Sequence, residues 1–231
     1  MSTKIIVSYD GTANENDAVA LGRVFAGAGA EVALAYVRHS HDSDAEREQA
    51  AQNEAEQLLT RGASLFGDAS IARHVVVDAS TPRGLSALAE REGADAIVFC
   101  SDSHTANGHI SVGNSAQKLL EGGSVAVAIA PVGLAESAAS GVRSIVAIGD
   151  AEGGARQTAE SLAAALGASV APVANEEAGL LVVDSRPEAE QGRVAISASA
   201  AHVVEIARCP VLVLPRARAL AFGRTTAPVV A

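Results

Sequence analysis

Tryptophan is absent from this 231-residue chain, methionine occurs once, tyrosine and cysteine twice, and phenylalanine four times. So few aromatics leave no stacking platform for nucleic-acid bases. Lysine is as scarce: Lys4 and Lys118 are the only two, and the other basic residues are arginines scattered singly. The balance is acidic, with a formal net charge of -10 and a pI of about 5.0. That excludes the clustered cations on which non-specific DNA or RNA binding rests, so no nucleic-acid partner is expected. No apolar run approaches the roughly 18 residues that span a bilayer, so no membrane partner is expected. The opening residues, MSTKIIVSYDGT, enter a strand at once and leave no room for a signal peptide. Cys100 and Cys209 read as a strand end and a strand start, small buried hydrophobes in a reducing cytoplasm rather than a disulfide scaffold. Catalytic signatures are missing too. There is no Gly-Lys-Ser/Thr phosphate loop, no Gly-x-Ser-x-Gly elbow and no Cys-x-x-Cys pair, so the expectation is not an enzyme, with weak nucleotide hydrolysis, for which no base is identifiable, as a third reading.

What is present is a regular alternation. Hydrophobic residues make up 48% of the chain, enough for a sizeable core. Residues 4–9 (KIIVSY) form a β-rich run that stops at Asp10-Gly11, a turn signal. Residues 14–26 carry Ala18, Leu21, Val24 and Phe25 at helical spacing. Strands follow at 31–37, 71–77, 95–100 and 124–130, with helices at 44–66, 80–91 and 114–121 between them. Asp42 or Ser43 is the expected N-cap of the long polar helix. The metal-like string HSHDSD at 39–44 therefore reads as a solvated helix start, and no metal is expected there. Strict β-α alternation predicts a doubly wound, parallel five-stranded sheet, Rossmann-like, with ligands at the carboxyl ends of the strands.

After a small polar stretch the pattern restarts. RSIVAIGD from Arg143 echoes KIIVSYDG, and residues 178–215 align without a gap to 94–131 at an offset of 84. At the front the offset is about 139, so the second copy lacks about 55 residues, the counterparts of the long helix, third strand and third helix. The expected organisation is a complete domain over 1–132, a linker over 133–141, a truncated repeat over 142–216 and a C-terminal tail over 217–231. Only residues 174–178 separate a second-strand counterpart at 170–173 from the next strand. A parallel crossover normally needs a dozen residues, so 170–173 is expected to pair antiparallel or to form no strand.

Between the fourth and fifth strands lies GHISVGNSAQKLLEGGSVAVAIAP, residues 108–131. With VSYDGT at 7–12, AYV at 35–37 and the endings GSVAVAIAP and RCPVLVLP, it resembles the universal stress protein family of the UspA type. The resemblance implies an adenine nucleotide α-hydrolase-like fold, a role in the stress response, and binding of ATP, ADP or AMP by the first domain, with no metal beyond nucleotide-associated Mg. It carries Asp10 over as a residue near the adenosine, although Asp-Gly after a strand reads equally as a turn. It carries Val37 over as a backbone contact to the base, and Gly113 as the last glycine of the phosphate loop. Backbone N-H groups of such a loop can bind anions without lysine. The sequence departs at Cys100 and Ser103, where the family loop has glycines, and at Asn114, where it has Ser or Thr; Gly108 instead sits five before Gly113. Asn114 and Ser115 remain expected to cap the helix and face a phosphate, and His104 and His109 flank the loop.

In the second copy Ser197 replaces Gly113, Ala198 replaces Asn114, and Gly149 stands where Asp10 would align. That copy is expected to be a packing partner rather than a binding site. Family members pair through their last strands, so the strands ending at Pro131 and Pro215 are expected to pair, giving an internal pseudo-dimer, or a homodimer. The alternative function is a dimerisation or protein-interaction module that binds no nucleotide.

Overall fold

The computed structural model describes residues 2–12, 14–40, 43–137, 141–172 and 178–223. The first half runs β1 (Lys4–Ser8), α1 (Glu15–Gly27), β2 (Glu31–Arg38), α2 (Ala45–Phe66), β3 (Ala72–Val77), α3 (Thr81–Glu92), β4 (Ala96–Cys100), α4 (Asn114–Leu120), β5 (Ala126–Ala130) and the single turn α5 (Leu134–Ser137). The second half runs β6 (Ser144–Ile148), α6 (Gly154–Leu166), β7 (Ser169–Ala171), β8 (Leu180–Val183), α7 (Ala198–Ile206) and β9 (Val211–Val213). All nine strands among the described residues share one sheet, in the order β3-β2-β1-β4-β5-β9-β8-β6-β7. The expected five-stranded sheet with a truncated repeat behind it is therefore one continuous surface. The joint is the ladder between β5 and β9, antiparallel, with Ala128 opposite Leu212; every other neighbour is parallel.

Period two along each strand divides the core. On β5, Ala126, Ala128 and Ala130 face one layer, with Phe25 and Leu21 of α1, Leu59 of α2 and Leu162 of α6. Val127 and Ile129 face the other layer, with Leu85 and Leu88 of α3, Leu119 of α4 and Val204 of α7. Burial on both faces explains why these strands read as continuous apolar runs.

Strand β7 corrects one expectation. It pairs with β6 in parallel, Ile145 opposite Val170, as β2 pairs with β1. The crossover rule assumes full-length strands, whereas β7 has three residues and spans roughly 10 Å. Eight residues of chain span at most about 30 Å, well beyond the length of a three-residue strand. Residues 173–177 of the connection to β8 lie outside the described residues. Two caps also differ from expectation. Asp44, not Asp42 or Ser43, caps α2, accepting from the Glu46 and Arg47 amides at 3.0 Å each; Asp42 lies outside the described residues. At α4 the N-cap is Gly113 with no capping side chain, so Asn114 and Ser115 fall inside the first turn.

Part of the expected tail is packed. Leu220 is buried, its amide donating to the Thr158 hydroxyl at 2.9 Å. Phe222 stacks on Phe25 of the first half with ring centroids 5.7 Å apart, while Ser161 of the second half hydrogen-bonds both its N-H and C=O. Residues 220–222 thus strap α1 and α6 together.

Candidate functional site

Strand order reverses between β1 and β4, and loops leaving their carboxyl ends diverge there to opposite faces of the sheet. The β4–α4 loop is held from below by Ser101. Its buried hydroxyl donates to the Ala130 carbonyl at 2.7 Å and accepts from the Ser111 amide at 3.3 Å. Gly108, at φ +76°, donates to Val132 at 2.8 Å, and Val132 donates back to His109 at 3.1 Å, closing the loop onto the end of β5.

Every one of these bonds recurs 84 residues later. Ser185 donates to Leu214 at 2.7 Å and accepts from Ala195 at 3.0 Å. Gly192, at φ +75°, donates to Arg216, and Arg216 donates to Arg193. The offset seen in the letters is thus also an offset in hydrogen bonding. Ser101 and Ser185 were visible as identical residues at aligned positions; their role was not.

Across the crevice lie two residues that sequence reasoning missed. The Asn14 side chain donates to the Asp102 carbonyl at 3.0 Å and reaches that of Ser101 at 3.4 Å, bridging the loops after β1 and β4. The Glu15 carboxyl, in a residue only 4% exposed, accepts from the amides of Asp10 and Gly11, the latter at 2.8 Å. These are the N-H groups that the first turn would otherwise offer to a ligand anion. Burial first, and then neighbouring Asp10, push Glu15 up to about 9, while the two amides pull the other way. Asp17, equally buried, accepts from Gly133 at 2.9 Å and Ala135 at 2.7 Å and so starts α5 within the expected linker. Acids in a helix's first turn are ordinary dipole partners; only the loop packing over them shows that these two are inside.

The sequence-derived residues divide. Asp10 is exposed, and its side chain accepts from the Thr12 amide at 2.9 Å, the bond of an Asp-initiated turn. The Val37 side chain is buried against α3. Gly113 has open space where a Cβ would lie, as does Gly108. Burial first, and then the charges of Glu15, Asp10 and Asp17, push the Cys100 thiol up to about 12. Cys209 is buried and pushed up to about 11, and both thiols are free. In the former metal-like string, His39 lies 3.3 Å from the Thr81 hydroxyl, and residues 41 and 42 lie outside the described residues. No group of three or more His, Cys, Asp or Glu poised for a metal occurs among the described residues. Likewise, no described helix is long and apolar enough to cross a membrane.

In the second half the corresponding carboxyl comes from the other side. Gly154 stands where Glu15 aligns and Asp184 where Cys100 aligns. Asp184 accepts from the Ala155 amide at 2.8 Å, and a Cβ at Gly149 or Gly153 would strike its carboxylate. Burial, then the Asp150 charge, act to raise Asp184. A cleft of about 600 Å³ opens beside it, lined by Asp150, Arg186, Glu188, Ser197 and Ser199. Each half therefore sets a carboxyl at its first βα turn, Glu15 on the Asp10 and Gly11 amides and Asp184 on the Ala155 amide at the start of α6.

Comparison with known proteins gives matches of family and fold. Residues 1–131, more than half of the chain, match the universal stress protein family. No curated protein matches. Among solved structures, the chain is similar to a universal stress protein from Archaeoglobus fulgidus DSM 4304 (TM-score 0.70, 15% identity, covering 94% of this chain and 99% of that one). It is also similar to a protein of unknown function from Pseudomonas aeruginosa PAO1 (TM-score 0.63, 16% identity, 93% of each chain). A third is a putative universal stress protein from Pseudomonas aeruginosa UCBPP-PA14 (TM-score 0.63, 16% identity, 92% of this chain and 93% of that one). At such identities the structures speak for the fold alone, but the matched residues include β1 to β5 and both loops of the crevice. The chain belongs to the universal stress protein family.

Proposed function

We propose that this protein is a regulatory module of the stress response, without catalysis, whose first half binds an adenine nucleotide (ATP, ADP or AMP) in the β1/β4 crevice. The observation that carries the reading is the crevice itself, set at the reversal of strand order in a chain of this family, beside a glycine-containing loop whose backbone Ser101 fixes. Asp10 would face the ribose, the Val37 backbone the base, and the loop from Gly108 to Gly113, with Asn114 and Ser115, the phosphate. Mg enters only with the nucleotide. Isothermal titration with ATP, ADP and AMP tests this; no heat and no thermal shift at millimolar ligand would overturn it.

A second reading has its own observations: Asn14 bridges the crevice and Glu15 takes the amides of the first turn. In that reading the chain acts by pairing, with itself or with another protein, in a cytoplasmic setting. Sedimentation across a concentration series, with and without nucleotide, separates the two. Association indifferent to nucleotide supports the pairing module.

A further inference from the structure

The crevice of the first half is bordered by acidic residues, with no lysine or arginine in the β4–α4 loop. The Glu15 carboxyl already occupies the Asp10 and Gly11 amides, so a phosphate cannot have them. Asp10 lies beside Glu15, and Asp102 opens the opposite loop, tied to Asn14 through its carbonyl, while Asp17, two residues on from Glu15, is committed to the Gly133 and Ala135 amides. Against these acids, residues 101–115 contain no lysine and no arginine. The arginines at the neighbouring strand ends are paired: Arg38 with Glu48, and Arg83 with Asp78 at 2.9 Å. Arg61 of α2 is exposed to solvent, and Lys118 lies in the last turn of α4, away from its start.

Among the described residues, a nucleotide tail entering here would meet the Asp10 and Asp102 carboxylates, peptide dipoles and a loop whose only basic side chains are the His104 and His109 imidazoles. Peptide N-H groups can hold one phosphate; a polyphosphate needs cations to offset its growing charge. We propose that the first half selects adenine ligands of low charge, a nucleoside or monophosphate, and discriminates against triphosphate. This rests on the nucleotide reading above and narrows its ligand class.

The test is the ratio of affinities for AMP and ATP, measured by titration calorimetry on the full chain at low ionic strength, at pH 8 and with chelator present. ATP carries roughly two more negative charges than AMP. The expected result is ATP at least about tenfold weaker than AMP, with the ratio contracting in high salt as the repulsion is screened. Asp102→Asn should contract it about threefold, because Asn keeps the acceptor for the His104 amide at 3.1 Å while removing the charge. ATP binding as tightly as AMP, or tighter, overturns the selectivity and leaves nucleotide binding standing. Absence of binding by either overturns both.

Discussion

Glu15→Gln is expected to make the protein more stable than wild type at alkaline pH, although it alters a residue with two hydrogen bonds. In the fold Glu15 holds its proton up to about 9, because burial outweighs the pull of the Asp10 and Gly11 amides and the nearby Asp10 adds to it. Unfolded, a glutamate titrates at about 4.3. A folded value above the unfolded one gives stability that is complete below the unfolded pKa and lost as pH rises through the folded one. Between these limits the folded state holds one more proton than the unfolded state. The slope is then about -1.4 kcal/mol per pH unit, or up to about 4 kcal/mol between pH 5 and pH 8. Glutamine mimics the protonated form and keeps an acceptor for both amides, so its slope at this site is zero. Urea unfolding of both proteins at pH 5, 6, 7 and 8 gives the difference directly, with other groups cancelling. Nearly equal stabilities at pH 5 should diverge in favour of the variant towards pH 8. Parallel curves, or a variant less stable at every pH, would refute the claim that a buried, protonated Glu15 fills the first turn.

Ser101→Ala and Ser185→Ala each leave a buried carbonyl and an amide without their partner. Each should cost about 2 kcal/mol by denaturant unfolding. Having no partner in common, the two losses should add within about 0.5 kcal/mol, and a large excess would mean that the halves are coupled through these loops. Phe222→Ala removes the ring stacked on Phe25 and should cost about 2 kcal/mol in the same assay. Loss of that size with a single transition retained would show the strap to be part of one cooperative unit.

The alternation of elements was legible because both faces of the sheet are covered, and burial on two sides writes itself as unbroken apolar runs such as AIVFC and AVAIA. The 84-residue offset was legible for the same reason, and with it the strands that join as β5 and β9. Strand β7 was misjudged because a rule for full-length crossovers was applied to a three-residue strand. At the crevice, Asp10 and Gly113 were singled out by resemblance to the family motif, and Gly108 by its place five before Gly113. Asn14, Glu15 and Asp17 did not, since polar residues at a helix start look solvated until a second loop, far away in sequence, closes over them. The exchange of Glu15 and Cys100 for Gly154 and Asp184 was equally silent. It links two alignments with different offsets, and only the shared place in the fold shows that one carboxyl is kept in each half.

The most direct test of the central claim is hydrogen exchange on the full chain with and without saturating AMP. Binding in the first half predicts slower exchange over residues 8–15 and 100–116, with residues 148–154 and 184–199 unchanged. Protection confined to the second half, or no change anywhere at a concentration that saturates by calorimetry, would contradict it.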